Sequence, residues 1–241
     1  MRSCWAASLG GCSPKLTREH VVSRAVFQDK SLNIGGNFWT ERTKTKIGSN
    51  NLTARILCKE HNNELSPLDA MAANLSSTLR TAYCSDNSSA SFVLDGWLYE
   101  RWCLKVLANV FAAGWTERGK AQPPKEIVEL IFGRRRLAGS SGLYSVNYFT
   151  GRDKGTDEFI WNVLLDSETK SQICGILTSM RGFLTLVTIP QGNPEPLIRA
   201  IGRTQRFDFT EMRLTRHPRG LSYEVGKEGF SKKLEISMTW P

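Results

Sequence analysis

Apolar and polar positions fall into two regimes along the chain. In roughly the first third, apolar runs are short and broken by polar stretches; later they lengthen into helical and strand periods. Residues 52–58 (Leu-Thr-Ala-Arg-Ile-Leu-Cys) predict a short strand. A helix with explicit start signals follows: Ser66 as N-cap, Pro67 at the first helical position, and Asp69 closing a Ser-x-x-Asp capping box. Leu68, Met71, Ala72, Leu75, Leu79 and Ala82 then share one face of it. The glycine-rich polar run 31–50 reads as a loop, with Phe38-Trp39 as a short strand inside it.

Further on, 97–111 is apolar on most faces apart from Glu100, Arg101 and Lys105, which predicts a largely buried helix, and Pro123-Pro124 open a shorter one. Strands are predicted over 143–149, 158–165, 173–178, 183–189, 207–213, 222–225 and 234–240, separated by glycine- and proline-bearing turns. The polar stretch 84–91 divides a Cys/His-bearing front segment, 1–83, from a back segment, 91–241, expected to be an α+β domain with a mostly antiparallel sheet. No internal repeat at a period of 20 to 50 residues is visible.

Composition narrows the class. At 241 residues, 40% hydrophobic and 23% charged, the chain is globular. It has no run near the roughly 18 to 20 apolar residues that cross a bilayer, and Met1-Arg2-Ser3-Cys4 lacks a secretory apolar stretch. A cytoplasmic protein with no membrane partner is the expectation. Six dispersed cysteines are too few for a disulfide scaffold and suit reduced thiols or metal ligands. The formal charge of +9 favours a polyanionic partner, and the front segment is the denser in it, with 11 Lys/Arg against 6 Asp/Glu.

Two segments combine residue types that a packed core does not ask for. They are Cys12-Ser-Pro-Lys-Leu-Thr-Arg-Glu19-His20-Val-Val-Ser and Leu57-Cys58-Lys-Glu-His61-Asn62-Asn63-Glu-Leu-Ser66. Phosphodiester hydrolysis needs a base to activate water and a cation to offset charge developing on the phosphorus oxygens. A neutral imidazole supplies the first near pH 7, and Glu and Asn oxygens suit a hard cation such as Mg²⁺.

Over about the first 80 residues these segments resemble the HNH family of nucleases, whose ββα-metal unit carries an acid-His pair on its first strand and a His or Asn ligand at its helix. The resemblance implies a treble-clef-like N-terminal domain, His20 as general base, Glu19 where the family usually has a metal-binding Asp, and Asn62 as the second ligand of a catalytic Mg²⁺ or Mn²⁺. The substrate it implies is DNA ahead of RNA, in a setting such as restriction or defence. The chain departs from the family at Ser23, where a Pro is frequent, and at Asn62, where the final His would stand.

Many HNH domains also hold a structural zinc between two Cys pairs. Here the second pair would be Cys58-x-x-His61 and the first Cys4 and Cys12, with seven residues between them where two are usual. A rival assignment gives His61 to the catalytic metal and leaves Cys58 a buried thiol. Arg18, and Arg42, Lys44 and Lys46 beside Phe38-Trp39, are candidates for nucleic-acid contact.

Blander assignments stand beside these. A lone Glu-His or His-Asn dipeptide is usually surface sequence, and the alternative for the whole front segment is a zinc-stapled nucleic-acid-binding module without hydrolysis. Cys84, Cys103 and Cys174 read as core thiols, and His217 as a solvated turn residue. Glu100 and Arg101 suit an intramolecular ion pair or a cap. Arg134-Arg135-Arg136, Arg152 and Lys154 fit a solvated loop as well as phosphate contacts. The back segment is left to target recognition, dimerisation or binding of a partner subunit.

Overall fold

The computed structural model describes residues 4–27, 31–35, 45–48, 51–84, 89–115, 119–149, 158–165, 173–190, 214–227 and 230–241. The fold is α+β, with four α-helices among the described residues. Seven of nine strand pairings are antiparallel.

Near the N-terminus, β1 (Leu16–His20) pairs antiparallel with β4 (Thr53–Cys58), and α1 (Lys59–Glu64) and α2 (Ser66–Cys84) follow directly. The long connection between β1 and β4 leaves this hairpin to build elsewhere. Residues 31–50, expected as a loop, supply β2 (Ser31–Gly35) and β3 (Thr45–Gly48), which pair with each other, and β2 lies parallel to β7 (Glu158–Leu165). Glycine, asparagine and lysine give these two strands weak local preference, and it is the pairing of β2 with a distant strand that makes them regular. Phe38 and Trp39 lie outside the described residues.

The resulting seven-stranded sheet adds β6 (Gly142–Phe149), β8 (Ile173–Met180), β9 (Phe183–Thr188) and β10 (Leu214–Arg216), in the order β10-β6-β9-β8-β7-β2-β3. A third sheet joins β11 (Gly220–Lys227), β12 (Phe230–Thr239) and β5 (Ser89–Asp95), with β5 and β12 parallel. β5 overlaps the polar stretch expected as a divider. Its Phe92-Val93-Leu94 run takes a strand partner about 140 residues further along the chain. The strand expected over 207–213 falls outside the described residues.

Helix α3 (Gly96–Ala113) is the hub. Asp95 caps it, accepting the Leu98 amide at 2.9 Å. Gly114 ends it in the left-handed region, with Gly114 N–H to Phe111 and Trp115 N–H to Val110 closing the last turn. Thirteen of its residues are buried, and it packs on α2, β4, β8 and the short helix α4 (Lys125–Ile131). One apolar core therefore runs from Trp5 through Leu57, Leu75, Trp102 and Phe159 to Met238, across both segments of the chain.

Candidate metal centre and the histidine beside it

Cys4, Cys12, Cys58 and His61 offer four ligand atoms that all lie within 4.8 Å of one another. His61 Nδ1 is 3.4 Å from Cys4 Sγ, 3.6 Å from Cys12 Sγ and 3.2 Å from Cys58 Sγ. Bond lengths of about 2.3 Å for Zn–S and 2.0 Å for Zn–N give tetrahedron edges of about 3.5–3.8 Å, so the donor set fits a Cys₃His zinc. His61 turns Nδ1 to the three thiols and stacks edge-on to Phe132, which places it in this cluster and not beside Glu19.

Local structure explains how seven intervening residues close the first pair. The 3₁₀ turn Ala7–Leu9 shortens the path, and Gly10 and Gly11, at φ 79° and 69°, reverse it. Trp5 anchors the segment, its N–H on the Ile56 carbonyl at 2.9 Å and its indole against Phe132. Burial pushes the Cys4 thiol up to about 12. At Cys58 burial acts in the same direction, but hydrogen bonds from the His61 and Ser13 backbone and the Ser13 hydroxyl outweigh it and hold the thiol below its ordinary value. Zinc ligation requires all three as thiolates.

Strand alternation separates the acid-His pair. Glu19 is buried toward α3, while Arg18 and His20 share the other face with Arg55 and Thr53, their partners on β4. The half-buried His20 ring has an Nε2 that is enclosed and without a hydrogen-bond partner among the described residues. Burial, then the Arg24 charge, hold its pKa below the usual imidazole value; Lys105 and Arg18 act the same way and Asp69 opposes them. His20 is thus a neutral base at pH 7. The backbone beneath it is fixed by Asn109, whose amide donates to the His20 and Val21 carbonyls at 3.3 and 3.2 Å while its oxygen accepts the Trp5 indole N–H at 3.0 Å.

Glu19 and Asn62 do not fit the divalent cation expected of them. Glu19 Oε1 lies 2.8 Å from the Lys105 ammonium. Burial raises the Glu19 pKa, opposed chiefly by Lys105 and also by a hydrogen bond from the Asn62 side chain, so both expected ligands are turned to partners within the protein. Asp69, the other nearby carboxylate, has both oxygens on Lys105 and accepts the Ser23 hydroxyl as well. For the same reason Asp69 does not close the expected capping box with Ser66. A hard cation keeps several waters and needs open oxygen ligands, which this enclosed seam lacks.

Beside the His20 face lies a cleft of about 440 Å³ lined by Arg18, Thr53, Arg55, Trp115 and Lys120, among others, with no acidic residue among the described residues that line it. Arg18 and Arg55 stand directly opposite each other across the strands. Like charges so placed destabilise a pair, a cost that an anionic ligand relieves. Gly114 puts Trp115 there; a side chain at this φ of 79° would be strained, and a Cβ would sit 2.6 Å from Lys120 Cγ.

Of the expected nucleic-acid contacts, Arg18 lines the cleft, Lys46 sits on edge strand β3 opposite Asn33, and Arg42 and Lys44 lie outside the described residues. Arg152 and Lys154 also lie outside them, while Arg135 pairs with Glu129 at 3.4 Å. Two bland expectations change. Cys84 is exposed, unlike the buried Cys103 and Cys174. His217 is half-buried on Trp240 with Nε2 2.9 Å from Glu100, which also accepts the Leu143 amide.

Ser23, Asp69, Lys105 and Asn109 were not singled out by sequence as site residues, and neither were Arg55, Trp115 and Lys120. One signal was present: Lys105 and Asn109 are polar residues four apart in the otherwise apolar stretch 102–113, a spacing that puts both on one face. No described helix is long and apolar enough to cross a membrane. Comparison with protein-family models, with curated proteins and with solved structures gave no match to this chain.

Proposed function

We propose that the chain is a nuclease of HNH type that hydrolyses phosphodiester bonds in nucleic acid, DNA ahead of RNA, with His20 as general base and a structural zinc at Cys4, Cys12, Cys58 and His61. The observation that carries this reading is the orphaned His20 Nε2 on a strand pair whose Arg18, Arg55 and Thr53 line a cationic cleft. A buried polar atom without a partner costs about 1–3 kcal/mol and is rare without a reason. A neutral imidazole kept free as a proton acceptor is such a reason. Arg18, Arg55 and Lys120 supply phosphate contacts, and Trp115 a ring on which a base can stack. The antiparallel β1–β4 pair followed by α1, with the Cys/His cluster at its end, supports the same reading.

A second reading, a zinc-stapled nucleic-acid-binding module without hydrolysis, draws on the engagement of Glu19 by Lys105. Plasmid and single-stranded substrates incubated with wild type and His20→Ala, with and without Mg²⁺ or Mn²⁺, separate the two. Cleavage lost in a folded His20→Ala variant supports the nuclease. Salt-sensitive binding with no product under any of these conditions supports the module.

A further inference from the structure

Helix α3 carries one ammonium in its buried face. Lys105 is 1% exposed. Its Nζ lies 2.8 Å from Glu19 Oε1, and 2.8 and 2.7 Å from the two oxygens of Asp69. Three N–H donors thus meet three carboxylate oxygens, the full capacity of the group. The acids come from different elements, Glu19 from β1 and Asp69 from α2. The cluster extends through Ser23, which donates to Asp69 and accepts the Trp102 indole N–H at 2.9 Å.

We propose that Lys105 is the resident cation of this site. Its ammonium stands on the carboxylates that a divalent metal would need, so the chain takes up no divalent cation at Glu19, and hydrolysis at His20 does not depend on added Mg²⁺ or Mn²⁺. The second half of this statement rests on the nuclease reading; the first does not. A dication approaching Glu19 would meet a positive charge already seated 2.8 Å from that carboxylate, and would have to break a buried ion pair to displace it. It would also have to shed most of its hydration in a seam where the Glu19 side chain is only 7% exposed. Removing the ammonium leaves two carboxylates facing one small space, the ligand set a hard cation prefers.

The test uses the full zinc-loaded chain and Mn²⁺ as probe, with free Mn²⁺ read by electron paramagnetic resonance. Wild type and Glu19→Gln should give identical titrations without a stoichiometric site, and Lys105→Ala should gain one Mn²⁺ that is lost again when Asp69→Asn is added. One Mn²⁺ bound per wild-type chain and lost in Glu19→Gln would overturn the proposal. Because Lys105→Ala leaves buried charge unpaired and can unfold the chain, the comparison of wild type with Glu19→Gln decides without it. In a second arm, cleavage is followed in divalent-free buffer that retains the zinc. Activity unchanged by added Mg²⁺ supports the second half, and activity that appears only with Mg²⁺ overturns it. An absence of cleavage under every condition overturns the second half together with the nuclease reading, and leaves the Mn²⁺ titration to decide the first.

Discussion

Removing zinc should loosen this protein without unfolding it. Among the attachments that hold the N-terminal segment in place, two decide the outcome. One is the four-ligand cluster, which ties Cys4 and Cys12 to Cys58 and His61. The other is Trp5, 2% exposed, packed on Phe132 and hydrogen-bonded through its indole to Asn109 and through its N–H to Ile56. A buried large apolar side chain contributes about 1.5–3 kcal/mol, enough to keep the segment docked when the metal leaves. At a free zinc concentration about 1,000 times the dissociation constant, linkage adds about 4 kcal/mol. For a chain of this size that corresponds to a melting temperature about 8–16 °C higher with zinc than without.

The ligands divide the test. Cys12 is exposed, so Cys12→Ser removes a ligand with little packing loss and should reproduce the chelated protein. Cys58 is fully buried, so Cys58→Ser should cost a further 1–3 kcal/mol or so for the enclosed hydroxyl. Zinc content by elemental analysis and thermal melts before and after chelation read both effects. Fresh protein without stoichiometric zinc, or a melt that chelation leaves in place, would refute the assignment.

Three further outcomes are expected. Lys105→Met should destabilise by about 3–5 kcal/mol because the buried Glu19 and the half-buried Asp69 lose their counter-charge, while Glu19→Gln, Lys105→Met and Asp69→Asn together should recover most of it; urea unfolding in which the triple variant is no better than the single one would disprove the network. Asn109→Ala strips partners from the Trp5 indole and two carbonyls and should cost about 2–4 kcal/mol by the same assay, whereas a loss under about 1 kcal/mol would show these bonds to be incidental. His20 has a folded pKa below its ordinary 6.5, so the unfolded chain binds the extra proton first as pH falls. The stability it contributes is therefore present above 6.5 and lost as pH falls from there toward the folded value. Cleavage should hold at pH values where an ordinary imidazole is already protonated, and a wild-type acid limb centred at or above 6.5 would contradict the assignment of His20 as base.

The Cys/His cluster was legible in the sequence through Cys58-x-x-His61, which the family resemblance paired with Cys4 and Cys12. Helices α2, α3 and α4 and most later strands were legible because periodicity, caps and turn residues agree there. Strands β2, β3 and β5 were not, since each is made regular by partners far away in the chain, and composition near residues 31–50 and 84–91 speaks only of local preference. The sequence suggested a divalent metal at Glu19 for an equally local reason. A carboxylate next to a histidine looks the same whether its partner is an ion or an ammonium 86 positions away.

That distant ammonium changes what the front segment can be by itself. Trp102, Lys105 and Asn109 fall on one face of α3, and each reaches a residue on or beside β1: Ser23, Glu19, and the carbonyls of His20 and Val21. Without α3, Glu19 and Asp69 would lose their shared counter-charge, and the Trp5 indole and two strand carbonyls would lose their shared partner. Each such deficit is comparable to a sizeable part of a domain's net stability of about 5–15 kcal/mol. The Cys/His hairpin and the sheet-bearing segment therefore form one folding unit at this seam, and the geometry of His20 is set as much by a helix of the back segment as by the strand that carries it.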